Sequence, residues 1–179
     1  MKQSGKVALG GILGALSLTF MMLTFFSLGT YALPAIAGAV LIPFVVEVGA
    51  KSAWMVYGSV ALLSLLIAPD IEAKVLFINF FGYYPILKSL LERTSKRWLE
   101  WILKLLVFNT SIILSFLLLI FVFNLEFEML VIGGVNLVYI MLAFGNIVFV
   151  IYDFALTNVI SMYMRVLHPR IKKIFKLDK

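Results

Sequence analysis

Apolar residues run along this chain in long unbroken blocks, and the charges collect between the blocks. Continuous runs of this kind predict membrane-spanning helices, which need about 20 apolar residues each. They exclude barrel strands, which would alternate apolar and polar positions. Six spans are predicted, at about 7–28, 31–49, 53–68, 75–91, 98–123 and 142–163. The last apolar stretch, Met129–Leu167, is too long for one upright helix and carries a break signal at Gly133-Gly134. Residues 129–141 are therefore expected to form an extracytoplasmic loop or half-helix leading into the sixth span. A seventh span over 129–144 is the rival topology. The expected architecture is all-α, a polytopic membrane protein with one transmembrane domain over 1–179.

Charge gives the orientation. With the spans so drawn, 14 of the 15 Lys and Arg fall on or beside one face, and only Lys74 lies on the other. The positive-inside rule then places both termini in the cytoplasm, and a seventh span would put the basic tail outside against that rule. Pro69-Asp-Ile-Glu72 and Asn124-Leu-Glu-Phe-Glu128 are acidic and fall outside. Lys88, Arg93, Lys96 and Arg97 fall inside, with the tail from Arg165 to Lys179. Trp54, Tyr83, Tyr84, Trp98, Trp101 and Tyr163 lie near span ends, where amphipathic rings settle at headgroup level. The opening lysines and apolar run imitate a signal peptide, but the run is too long and no Ala-x-Ala site closes it, so it reads as a span.

Composition narrows the class further. A 179-residue chain with 63% hydrophobic residues and mean hydropathy +1.09 carries more apolar surface than a small soluble core buries. The chain has no cysteine, which rules out disulfides and thiolate metal sites within it. No GxxxxGK[ST] string is present to cradle ATP phosphates. His168 is the single histidine, in a basic juxtamembrane tail that reads as an anchor to anionic lipid. No nucleophile, general base or metal-ligand cluster stands out, so neither an enzyme nor a cofactor is expected. A nucleic-acid partner is not expected for so short a basic patch.

Asp153 is the acidic residue deep within a span, and an ionisable group there points to a polar interior or a cavity. Asn146, Asp153, Thr157 and Ser161 share a helical face, with Asn158 off to the side. Asn109 and Lys104 on the fifth span are available partners, so an Asp153–Asn109 or Asp153–Lys104 clamp competes with a ligand or ion contact. Towards the extracytoplasmic side, Tyr31, Asn79 and Asn136 would converge with Asn146, while Tyr83 lies deeper beside Tyr84 and Pro85. Apolar walls with a few polar groups suit a small-molecule pocket. The candidate ligand contacts are Tyr31, Asn79, Tyr83, Asn136, Asn146 and Asp153; interfacial anchoring for Tyr31 and packing for the rest is the plainer alternative.

Span one carries two overlapping small-x-x-x-small pairs, Gly10/Gly14 and Gly11/Ala15, which let another helix approach closely. They serve either packing within the bundle or docking of another membrane subunit. A second small stripe, Ala35, Gly38 and Ala39, lies on span two. Glu47 and Lys51 are spaced as an i,i+4 ion pair. Pro43 and Pro85 are expected to kink their helices.

Six short spans, basic cytoplasmic ends, the opening Lys6–Leu16 (KVALGGILGAL) and the tyrosine, arginine and proline run at Asn158–Lys172 resemble the substrate-binding S components of energy-coupling factor (ECF) vitamin transporters. The family's Ala-x-x-x-Ala docking motif falls on Gly11 and Ala15, with glycine in place of the first alanine. The resemblance implies a prokaryotic plasma-membrane protein that binds a vitamin-like small molecule. Its implied partners are a transmembrane coupling subunit and two ATPase subunits, with the coupling subunit docked on Gly10, Gly11, Gly14 and Ala15. No vitamin-specific signature accompanies it. The rod-shape-determining MreD family has similar size and span number and implies a membrane scaffold instead. A small ion-coupled transporter using Asp153 is the third reading.

Overall fold

The computed structural model describes residues 3–26, 29–94, 96–124, 131–132 and 135–170, and between 131 and 141 the backbone alone. Its helices follow the apolar blocks. They are α1 (Gln3–Met22), extended by a 3-10 turn at Leu23–Phe25; α2 (Ala32–Ala39) and α3 (Ile42–Val48); α4 (Ala50–Ile67); α5 (Ile71–Leu76), a π segment at Phe77–Phe81 and α6 (Tyr84–Leu91); α7 (Arg97–Phe121); and α8 (Leu137–Val166). The protein is all-α, a polytopic membrane architecture. Among the described residues, four helical stretches have the length and apolar character to cross a membrane: Gln3–Phe25, Ala50–Ile67, Arg97–Phe121 and Leu142–Arg170.

The prolines do something other than kink. Pro43 and Pro85 each sit in the first turn of a new helix, α3 and α6, where a missing N–H costs no intrahelical bond. The second and fourth predicted spans are thus each built from two helical pieces. Gly49, at φ 102°, forms the joint between α3 and α4, a conformation that favours glycine. This joint corrects the expected Glu47–Lys51 pair, because the two residues lie on different helices. Glu47 instead accepts hydrogen bonds from the Tyr163 hydroxyl and the His168 ring at 2.7 Å each.

Before α8 the described backbone contains a short antiparallel ladder, Val131–Ile132 against Val135–Asn136. Helix begins at Leu137 rather than near 142, because no breaker interrupts Leu137–Phe144. The expected loop or half-helix at 129–141 is therefore, where described, a ladder followed by the first turn of α8.

Helix α1 packs on α4 and α2, α2 on the π segment, α4 on α6, and α7 on α8. One apolar cluster gathers Met21, Ala37, Val60 and Phe77; a second, Ile42, Phe80, Tyr84, Phe108, Phe149 and Leu156; a third, Leu9, Phe44, Val45, Ala53 and Ile86. The outward surface is also apolar, with Val7, Ile12, Leu62, Leu66, Phe121 and Ile151 exposed, as lipid contact requires. Gly38 marks a close approach of two backbones: a Cβ there would overlap the Phe81 carbonyl oxygen. The Asp70 side chain accepts from the Glu72 and Ala73 amides at the start of α5 and from the Thr30 hydroxyl at 2.7 Å, tying the α1–α2 turn to the α4–α5 turn.

Candidate functional site

The polar centre lies where α6, α7 and α8 meet. On α6, Tyr84, Lys88 and Glu92 follow one another at four-residue intervals and so share a face. On α7 the same spacing aligns Glu100 with Lys104. Helix α8 contributes Asp153. Its Oδ1 accepts from the Tyr84 hydroxyl at 2.7 Å and from Lys88 Nζ at 2.6 Å, and its Oδ2 from Lys104 Nζ at 3.1 Å. Glu92 Oε1 receives Lys88 at 2.6 Å and Lys104 at 3.2 Å, and Glu100 Oε1 receives Lys104 at 2.7 Å. Lys104 Nζ also stands 5.2 Å from the Trp101 ring centre.

Two ammonium groups thus face three carboxylates. Lys88, Lys104 and Asp153 are buried, whereas the Glu92 side chain is 37% exposed and opens the network at the end of α6. Desolvating charges is expensive, and excellent geometry with extra hydrogen bonds is what makes such burial tolerable. Every charged partner in this network has at least one oppositely charged neighbour within 3.2 Å. The arrangement fastens three helices together. No group of His, Asp and Glu able to hold a metal occurs among the described residues.

A second polar contact lies further along α7 and α8. The Asn109 amide donates to Asn146 Oδ1 at 2.9 Å, and the Asn146 amide donates back to Asn109 Oδ1 at 3.0 Å. Each amide nitrogen spends its other hydrogen on its own helix, at the Leu105 and Leu142 carbonyls. Both amide donors of both residues are therefore in use.

The six candidate ligand contacts are scattered over these environments. Asn146 and Asp153 lie on the same inner face of α8, each engaged with neighbouring helices. Tyr83 shares a 2.6 Å hydrogen bond with Ser111 and stacks on Trp54 at 5.9 Å. Tyr31 is exposed at the start of α2, its hydroxyl 3.4 Å from Glu72 Oε2. Asn79 stands in the π segment with a buried amide nitrogen that has no hydrogen-bond partner in the structure. Asn136 lies outside the residues whose side chains are described. The Thr157 and Ser161 side chains turn to the outer surface with Asn158, and Thr157 bonds only to the Asp153 carbonyl of its own helix.

Sequence reasoning singled out Asp153 and offered Lys104 as a partner, but it left Lys88 at the cytoplasmic boundary and gave no role to Glu92, Glu100 or Ser111. The signal was present in the four-residue spacing of Tyr84, Lys88 and Glu92. It reads equally well as a helix end whose lysine reaches for water.

The small-residue face of α1 divides in two. A Cβ on Gly10 would meet Phe44 at 3.1 Å and Val56 at 3.2 Å, and one on Gly14 would meet Val60 at 3.5 Å. A Cβ on Gly11 would meet nothing within 4 Å, and Ala15 is exposed. A groove of about 600 Å³ runs along this face between α1 and α4, bordered by Lys6, Val7, Gly11, Ala15, Met55 and Leu63 among others. None of the six candidate ligand contacts lines it. No protein-family model, curated protein or solved structure matches the chain.

Proposed function

We propose that this protein is a non-enzymatic subunit of a larger assembly in a prokaryotic plasma membrane, with six spans, both termini cytoplasmic, and a partner helix docked on α1. The observation that carries the reading is the small-residue face of α1, which lines a groove and leaves Gly11 and Ala15 exposed. All four small residues line an apolar groove; Gly10 and Gly14 lie against Phe44, Val56 and Val60 on its inner side, whereas Gly11 and Ala15 are exposed. Lipid supplies no hydrophobic drive for helix association, so close approach at small residues is what favours a partner there.

The resemblance to ECF S components makes that partner a coupling subunit with two ATPase subunits, and the cargo a vitamin-like small molecule. In this form Asn79 is the contact we favour, because its buried amide nitrogen lacks a partner. Tyr31 and Asn136 would join it from the extracytoplasmic side.

A scaffold of the MreD type is the second reading, and a specific observation favours it. Asn146, Asp153 and Tyr83 each spend their polar groups on a neighbouring helix. The same observation weighs against a proton-coupled carrier, since the Asp153 carboxylate accepts from two ammonium groups and a phenol at once.

The test is a gentle-detergent pull-down of the tagged protein from its native membrane, alongside Gly11→Leu and Ala15→Leu. A coupling subunit with two ATPases identifies the transporter form, and cell-wall or cytoskeletal partners identify the scaffold. Either set should disappear with the leucine variants. Partners retained in full by both variants would overturn docking on α1.

A further inference from the structure

Helix α8 has a second organised face, opposite the one that carries Asp153. Six of its exposed residues form a stripe. Phe144, Ile147, Ile151, Phe154, Asn158 and Ser161 alternate at steps of three and four, the heptad spacing of a two-helix seam. The first four are each between 57% and 66% exposed, and Asn158 and Ser161 are exposed as well. The seam ends at Arg165, where a long cationic side chain reaches the headgroup level. From Phe144 to Arg165 it spans roughly 32 Å, about the thickness of the hydrocarbon core. Asn158 stands roughly 140° around the helix from Asp153, so the seam points away from the bundle.

The amide of Asn158 is the informative group. It lies in a largely apolar stripe facing outward, of which Ser161 is the other polar member, and it makes no side-chain hydrogen bond among the described residues. A primary amide carries both donors and an acceptor, so its best partner in an apolar medium is another amide. The chain already builds that contact once, between Asn109 and Asn146. Two copies inserted in one membrane have the same orientation, and a two-fold axis along the membrane normal sets each residue of the seam opposite itself. A single asparagine at such a heptad position is also the residue that specifies register in paired helices.

We propose that two copies of this chain pair through the outer face of α8, with the Asn158 side chains hydrogen-bonded to each other across the two-fold axis. The surface is distinct from the α1 groove, so each copy would keep its α1 face free. This inference rests on the membrane placement and not on the identity of the α1 partner.

Because the chain has no cysteine, single cysteines test the seam directly in native membranes under mild oxidation. Ile151→Cys and Ser161→Cys should each give a cross-linked product of twice the chain mass. Val159→Cys, exposed but roughly 100° around the helix from Asn158, should not. In parallel, the full chain is reconstituted in vesicles and its monomer–dimer balance followed by energy transfer across a range of protein-to-lipid ratios. Asn158→Leu should weaken the dimer by roughly three- to twenty-fold, the range expected for interhelical polar contacts in a bilayer. Its thermal midpoint as a monomer in detergent and its α1-dependent pull-down should stay unchanged. Three results would overturn the proposal: equal cross-linking at 151 and 159, no change in dimer affinity for Asn158→Leu, or a cross-link from Ile151→Cys to a protein of another mass.

Discussion

Lys88 of α6 and Asp153 of α8 meet at 2.6 Å, and neither side chain is more than 4% exposed. Lys104 approaches the other carboxylate oxygen from α7, so one aspartate closes a three-helix junction. Removing one member leaves its partners buried with one counter-charge fewer, Asp153 with Lys104 alone or Lys88 with Glu92 alone, which costs more than the intact pair contributes.

Lys88→Met and Asp153→Leu should therefore each destabilise the bundle by about 3–5 kcal/mol. The double variant should lose clearly less than the sum, because the stranded charges vanish together. Thermal unfolding in detergent micelles measures all three. Additive losses would remove the pair from the account of stability.

Gly38 and Gly11 should respond oppositely to the same small change. Gly38→Ala drives a methyl into the Phe81 carbonyl, so the π segment and α2 must separate, at a cost of about 1–3 kcal/mol or more. Gly11→Ala meets open space and should shift stability by no more than about 0.5 kcal/mol. Melting midpoints of the two variants against the parent decide the matter.

The Asn109–Asn146 pair is a clean subject for a double-mutant cycle with leucine at each site. A coupling energy of about 0.6–1.7 kcal/mol is expected, the range for interhelical hydrogen bonds in membranes. If Asn146 served a ligand instead, the Asn109→Leu variant would leave ligand affinity untouched while Asn146→Leu reduced it.

Tyr163→Phe should cost about 1 kcal/mol by removing one of the two donors to the Glu47 carboxylate. The readout is local. A cysteine placed at Leu167 should label faster in the Tyr163→Phe background, since the hold of α3 on the end of α8 is weakened. Unchanged labelling would mean that His168 alone secures that end.

The helical class was legible because uncharged, mostly apolar blocks of 16 or more residues, as at 53–68, admit few other readings. What escaped was set by tertiary contact or by a single backbone joint. Glu47 and Lys51 have the spacing of an ion pair, but Gly49 turns the chain between them. Lys88, near a helix end, is most simply read as reaching for water, and only the approach of α8 buries it. Asn146 was grouped with the outer polar residues because one-dimensional order gives depth and not direction. Asp153 was legible for the opposite reason, since a carboxylate in mid-span needs a polar partner whatever the fold.

The two polar contacts between α7 and α8 also act as keys cut to a single lock. Lys104 pairs with Asp153 and Asn109 with Asn146, about 7.5 Å apart along one helix and about 10.5 Å along the other. Sliding α8 by one turn would misalign both at once and strand four polar groups against hydrocarbon. Leucine, isoleucine and phenylalanine surfaces are interchangeable enough to fit several such settings. These four side chains select one, and in doing so make the α7–α8 pair a fixed frame for the rest of the bundle.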